Sequence, residues 1–323
     1  MPAQFDVPIL FQIYNSLDTS LRVFEEIKKV RPLYFYLVQD GYRRDYPHEE
    51  SECLQVREAI LEKIDWECRL VTLFRETNLG PGQGTANAIK WFFNQVEYGI
   101  VLEHDCLPHP DFFEYCSTLL LMYKDDNRIK LINGSNYQMN KKFTKYSYYF
   151  CASGQLWGWA SWKRTFIHYT DDINRIDFET LAKNIKTTFK KKREQLYWTD
   201  SYGWIKKGYA ITWDFQLMYL IWEEKGLIIQ PTVNLVSNIG FGEKAIHCKD
   251  EFSNLSNARI EGIMPLKHPR KIKRSYNADT NYLDHYLVDD TYRKISLFVK
   301  LKRKIRKHIP ISFYNYLRDM IKQ

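Results

Sequence analysis

The feature that most limits what this chain can become is the alternation over its first 105 residues. Four apolar runs, Val7–Tyr14, Leu33–Val38, Cys68–Phe74 and Gly99–Leu102, read as buried strands. Between them lie helical spacings: Leu21, Phe24 and Ile27 after a capping Asp18; Leu54, Arg57 and Leu61 within Glu49–Lys63; Ala88, Phe92 and Val96 within Thr85–Val96. Pro110 then opens a further helix with Phe113, Cys116, Leu120 and Tyr123 on one stripe. Strands alternating with helices predict an α/β fold, a mostly parallel central sheet flanked by helices. In such a sheet the ligand sits beyond the carboxyl ends of the strands. Every polar cluster in this region falls there: Tyr14-Asn15, Gln39-Asp40, Arg75 to Gly84, and Glu103-His104-Asp105.

The pattern changes after Arg128. Short strands are expected at "IKLIN" and "YSYYF", followed by the aromatic stretch "GQLWGWASW", a charged helical region to about Glu194, and a helix over Ile211–Gly226. "LIIQPTVNLVSNIGFG" follows as one or two short strands ending in a glycine turn. The expected organisation is one domain over residues 1–268, with a nucleotide-binding half (1–135) and an acceptor half (136–268), and then a basic helical tail (269–323). Charge supports that division. Residues 267–323 hold 15 Lys and Arg against 5 Asp and Glu, a net of +10, which leaves 32 against 34 in the body. The body therefore has no bulk electrostatic attraction for nucleic acid. In the tail, Leu297, Phe298, Leu301, Ile305 and Ile309 form an apolar stripe among Lys and Arg, the pattern of a helix lying in a membrane interface; a solvated basic tail or an RNA contact has the same charge. The six cysteines form no C-x-x-C pair and the first residues do not read as a signal peptide, so reduced thiols in a cytoplasmic protein are expected.

Particular residues suggest chemistry. An acid pair at a strand end, Glu103 and Asp105, can hold a divalent metal that neutralises a diphosphate, or can be a solvated loop. Asp40 can accept from a base or ribose, or simply make an Asp-Gly turn. Asn78 with Gly80, Gly82 and Gly84 can bring backbone close to a nucleotide, although the spacing is neither a Walker loop nor a Rossmann fingerprint. Trp157, Trp159 and Trp162 are too closely spaced for one helical face; one is expected to stack on a sugar and two to pack. Asp214, between Trp213 and Phe215 at a helix start, can serve as a general base or as a carboxylate favoured by the helix dipole. His247 can be a metal ligand or phosphate donor, with Glu243 close by as its competitor, or a plain surface residue.

Taken together, these segments resemble nucleotide-sugar-dependent glycosyltransferases of the GT-A fold, the bacterial nucleotide-diphospho-sugar transferase group related to the enzyme that adds the first N-acetylglucosamine branch to N-glycans. The likeness runs from about Val7 to Phe252. It is strongest in "WFFNQVEYGIVLEHDCLPHPDFFEYC", similar to that family's strand, acidic motif and following helix. "LVQDGYRRDYPHEE" and "RETNLGPGQG" resemble its nucleotide-side segments, "WGWASW" its aromatic acceptor segment, "TWDFQ" its catalytic Asp, and "SNIGFGEKAIHCKDEF" its closing segment. The resemblance implies a donor, in all expectation a UDP-sugar, bound through Tyr14, Asn15, Asp40, Arg75, Asn78, Gly84, Glu103 and His104. It implies acceptor contacts at Trp157 and Trp159, Mn²⁺ or Mg²⁺ at Asp105 and His247, and Asp214 as base in an inverting transfer to a glycan or lipid-linked glycan. The family's triplet is usually Glu-Asp-Asp; here the middle residue is His104, which leaves a non-catalytic sugar-nucleotide or glycan binder as the alternative. With the tail, these implications place the protein in the cytoplasm, peripherally attached to the anionic inner face of the plasma membrane.

Overall fold

The structure is a computed structural model, and it describes residues 5–138, 141–241 and 258–287. The four expected strands form: β1 (Ile9–Ile13), β2 (Tyr34–Gln39), β3 (Arg69–Phe74) and β4 (Tyr98–Glu103). They are mutually parallel in the order β3-β2-β1-β4, with Ile9 level with both Phe35 and Ile100. All five residues of β1 are buried, because the sheet is covered on both faces. Alternate residues serve opposite layers. Leu10, with Val38 and Val101, packs against Ala88 and Phe92 of α3 (Gly80–Phe93). Ile9, Phe11 and Ile13 pack with Val23, Phe24 and Ile27 of α1 (Leu17–Val30) and with Val56 and Ile60 of α2 (Glu49–Glu62).

The rest of the chain extends the same sheet. After β5 (Cys106–Pro108) and α4 (Asp111–Met122) come β6 (Ile129–Asn133), β7 (Tyr148–Cys151), β8 (Trp159–Trp162) and α5 (Lys163–Phe166). Then follow α6 (Phe178–Thr188), α7 (Lys192–Lys206), α8 (Asp214–Glu223), β9 (Leu227–Pro231), β10 (Val236–Asn238) and α9 (Tyr276–Tyr282). The sheet order is β3-β2-β1-β4-β8-β6-β9-β7, with β5 and β10 forming a separate antiparallel pair. β8 runs antiparallel between β4 and β6, and β7 antiparallel on β9, so the sheet is mixed beyond β4. Among the described residues, no helix is long and apolar enough to cross a membrane.

Four expectations need correction. α1 is entered through Ser16, and Asp18 stands in its first turn instead of capping it. α3 begins at Gly80, before the Thr85 start expected for it, with Pro81 in its first turn. The "WASW" segment is strand β8, not an acceptor surface. The body does not end at residue 268. Asp279 of α9 accepts hydrogen bonds from the backbone N–H of Ala152 (2.8 Å) and Ser153 (3.2 Å) and pairs with Arg274 at 2.6 Å, while Tyr282 and Leu283 are buried in the core. The amphipathic stripe of the tail lies outside the described residues.

Candidate functional site

A cavity of 720 Å³ opens at the carboxyl ends of β1, β2 and β4. Its lining includes ten of the residues singled out in the sequence: Tyr14, Asn15, Asp40, Arg75, Asn78, Gly84, Glu103, His104, Asp105 and Trp157. They lie on two walls.

The first wall is a hydrogen-bonded network at the ends of β1 and β2. Gln39, fully buried, donates to the carbonyls of Tyr14 (2.8 Å) and Cys53 (2.7 Å), tying the end of β1 to α2. The Tyr14 hydroxyl donates to Glu49 (2.7 Å) and accepts from Asn78 (3.0 Å), while Asn15 donates to Glu52 (3.2 Å). Burial and the adjoining Glu49 carboxylate push the Tyr14 phenol up, so it is neutral. Glu49 is buried, and burial alone would raise its pKa, but side-chain and backbone hydrogen bonds from Arg43 bring it below the usual carboxylate range. Arg43 and Glu49 escaped the sequence analysis, though an acid opening a helix six residues after an arginine is a readable signal.

Asp40 organises the start of α3. Its Oδ2 accepts from the backbone N–H of Leu79 (2.9 Å) and Gly80 (3.0 Å), and Arg75 lies 3.6 Å from Oδ1. Oδ1 is buried and accepts no hydrogen bond. Burial holds the Asp40 pKa above its ordinary value against those N–H groups and Arg75. Gly84 is required by space: a Cβ there would stand 2.9 Å from Asp40 Oδ2.

The second wall is acidic. Glu103 ends β4, and its pKa is pushed up to about 8 by burial and then by the charges of Asp105 and Asp214. Asp105 is held by the β5–β10 pair: its backbone carbonyl accepts from Ile239 (2.8 Å) and its Oδ2 from Asn238 (3.2 Å). A Cβ at Gly240 would come within 2.6 Å of the Asp105 side chain, so glycine lets the two segments close together. Phe241, of the segment resembling the family's closing one, lines the cavity together with Asn238, which was not named as a site residue; β10's pairing with β5 brings them there. Among the described residues, no Lys or Arg lies within ion-pair distance of Glu103 or Asp105. Asp214 opens α8 beside this wall, its Oδ1 accepting from Thr212 Oγ1 and from the Phe215 N–H at 3.0 Å.

The tryptophans separate. Trp157 lines the cavity, edge-on to Tyr137 (5.3 Å) and Phe241 (6.0 Å). Trp159, expected at the acceptor, is 1% exposed and packs on Phe93, Phe166 and Trp213. Its place on β8 turns it into the core, where it backs the residue preceding Asp214. His247 lies outside the described residues.

The donor set suits a hard divalent cation that also takes ligands from a substrate. The described lining carries Asp18, Asp40, Glu52, Glu103 and Asp105 against Arg43 and Arg75, and both arginines already face carboxylates. Among the described residues no three His, Cys, Asp or Glu side chains form a metal centre of their own. One or two carboxylates with the remaining positions left to phosphate oxygens and water is the arrangement Mg²⁺ and similar ions adopt on nucleotides.

No protein-family model matches the sequence, and no curated protein sequence matches it. Solved structures resemble it over part of its length. A cytidylyltransferase from Leptospira borgpetersenii is 11% identical over 50% of this chain and 62% of its own, with a TM-score of 0.30. A 4-diphosphocytidyl-2C-methyl-D-erythritol synthase from Anaerococcus prevotii is 12% identical over 50% and 73%, with a TM-score of 0.32. An apo UDP-glucose pyrophosphorylase is 10% identical over 70% and 90%, with a TM-score of 0.35.

Proposed function

We propose that this chain is a metal-dependent, GT-A-type glycosyltransferase that moves a sugar from a nucleotide diphosphate, a UDP-sugar, onto a glycan or lipid-linked glycan in bacterial surface-polysaccharide synthesis. One observation carries this reading: a single cavity is lined by Asp40 and by the acidic pair Glu103 and Asp105, and the charge of Asp214, which stands outside that lining, reaches Glu103.

The roles follow from the chemistry at each wall. Two backbone N–H groups hold Asp40 Oδ2 and fix this carboxylate in the cavity lining, where it would meet the nucleotide base. Asn78 and the first turn of α3 border that position, where a helix N-terminus favours anionic groups. Asp105 and Glu103 would hold Mn²⁺ or Mg²⁺, which supplies charge neutralisation for the departing diphosphate. His104 in the same lining can donate to ribose or phosphate. Asp214 would take the proton of the acceptor hydroxyl, and Thr212 and the Phe215 N–H hold that carboxylate in place. Trp157 offers a half-buried ring in the cavity lining on which an acceptor sugar can stack. Attack opposite the leaving diphosphate makes the transfer inverting. The basic tail would keep the protein on the inner membrane face.

The test is a panel of nucleotide sugars incubated with Mn²⁺ and scored for release of nucleoside diphosphate. Turnover of one UDP-sugar that is lost in Asp105→Ala supports the reading. A donor that binds without turnover, with any candidate acceptor, supports the non-catalytic alternative instead.

A further inference from the structure

We propose that the turn joining α7 to α8, Lys206–Thr212, is a lip that seats on an anionic bilayer surface. Two of the most exposed large hydrophobic side chains among the described residues stand here two positions apart: Tyr209 is 78% exposed and Ile211 61%. Single exposed hydrophobics need no explanation, but these share six residues with the exposed Lys206 and Lys207.

Their exposure is built in. α7 ends in a Schellman turn: Gly208 takes a left-handed φ of 72°, its N–H bonds to the Ile205 carbonyl at 2.9 Å, and the Tyr209 N–H reaches back to the Trp204 carbonyl at 2.9 Å. That motif ordinarily folds the side chain at the Tyr209 position back onto its own helix. Here the backbone is fixed and the ring is nevertheless left in solvent. The Lys207 ammonium lies 6.0 Å from the Tyr209 ring centroid, so charge and ring are presented together. Among the described residues, neither Lys206 nor Lys207 lies within ion-pair distance of a carboxylate. An aromatic ring and an aliphatic side chain flanked by lysines match a headgroup interface: apolar groups enter the acyl boundary and ammonium groups meet lipid phosphate.

The lip also stands at the rim of the cavity. Ile211 Cγ2 lies 2.8 Å from where a Cβ on Gly82 would be, so it leans on the turn of α3 whose Gly80, Pro81 and Gly84 line the cavity. Three residues later the chain reaches Asp214. This surface is separate from the tail and does not depend on the catalytic reading.

The experiment is sedimentation of the full chain with phosphatidylcholine vesicles, with and without phosphatidylglycerol. The wild type is expected to partition onto the anionic vesicles. Partition should fall about tenfold in the double variants Tyr209→Ser/Ile211→Ser and Lys206→Glu/Lys207→Glu, with circular dichroism unchanged, and should be retained in Tyr209→Trp. Wild-type partition in the Ser/Ser variant overturns the proposal, as does failure of the wild type to bind. RNA binding lost in these variants while vesicle binding persists overturns it in favour of a nucleic acid. Release of nucleoside diphosphate in solution, without vesicles, separately follows the site itself.

Discussion

The two walls of the cavity handle buried carboxylates in opposite ways. At the first, Glu49 is met by Arg43, Tyr14 and Asn15, and its acidity is strengthened despite burial. At the second, burial and then the charges of Asp105 and Asp214 weaken the acidity of Glu103. A group of like charges is costly to hold together and persists where the surrounding structure or a ligand compensates. The first wall is thus a finished internal scaffold. Among the described residues the second has no cationic partner, the setting in which we propose a cation-dependent site for a diphosphate.

The largest expected effect is on the second wall. Asp214→Asn should lower sugar transfer by roughly 10²–10⁴-fold while leaving donor binding in place, because a general base acts in the transition state and not on the nucleotide. A comparable loss of donor affinity would move Asp214 from base to binding residue.

Next come the tryptophans. Trp159→Ala should cost about 3–5 kcal/mol in denaturant unfolding, as a buried ring packed on three others. Trp157→Ala should cost less than ~1 kcal/mol and should instead raise the acceptor KM.

The carboxylates themselves give the sharpest form of the contrast, because their pH signatures have opposite sign. Glu103 has a folded-state pKa of about 8, above its unfolded value. Its favourable contribution is therefore complete below the unfolded pKa and disappears as pH rises toward 8. Glu103→Gln should make the cation-free protein more stable than wild type at pH 8, with the advantage shrinking toward pH 5. Glu49 has a lowered folded-state pKa, so its contribution is present above the unfolded value and is lost as pH falls through the folded one. Glu49→Gln should destabilise by about 1–2 kcal/mol at pH 7, a modest figure because the Arg43 side chain is 37% exposed, and less at pH 3. Melting temperatures of both variants across pH 3–9 check the pair. Parallel curves would erase the distinction between the walls.

Much of this arrangement was legible before any coordinates. β1, β2 and β4 announce themselves because a strand buried on both faces is an unbroken apolar run, and the polar residues ending each run mark the ligand edge. Asp40, Asn78, Glu103 and Asp105 meet for that reason. What stayed hidden was set by tertiary pairing. Nothing local in "WASW" says that it enters the sheet antiparallel between β4 and β6, so the resemblance makes Trp159 an acceptor contact. Gly80 to Gly84 stand outside the helix expected from Thr85, since glycine is a poor helix former; Asp40 capping the Leu79 and Gly80 N–H groups from 39 and 40 residues away starts α3 there. Asn238 and Gly240 reach Asp105 only through the β5–β10 pair, more than 130 residues apart in sequence. Asp279 secures its helix through backbone groups of Ala152 and Ser153, which no charge count could reveal.

The central claim is that the acidic wall completes itself around a cation and a diphosphate. Calorimetric titration of UDP into the protein tests it most directly, with Mn²⁺ and then with EDTA, in wild type, Asp105→Ala and Asp214→Asn. The account predicts tight binding in wild type and Asp214→Asn that depends on Mn²⁺, and its loss in Asp105→Ala. UDP binding that is equally strong in EDTA, or that survives Asp105→Ala unchanged, would contradict it.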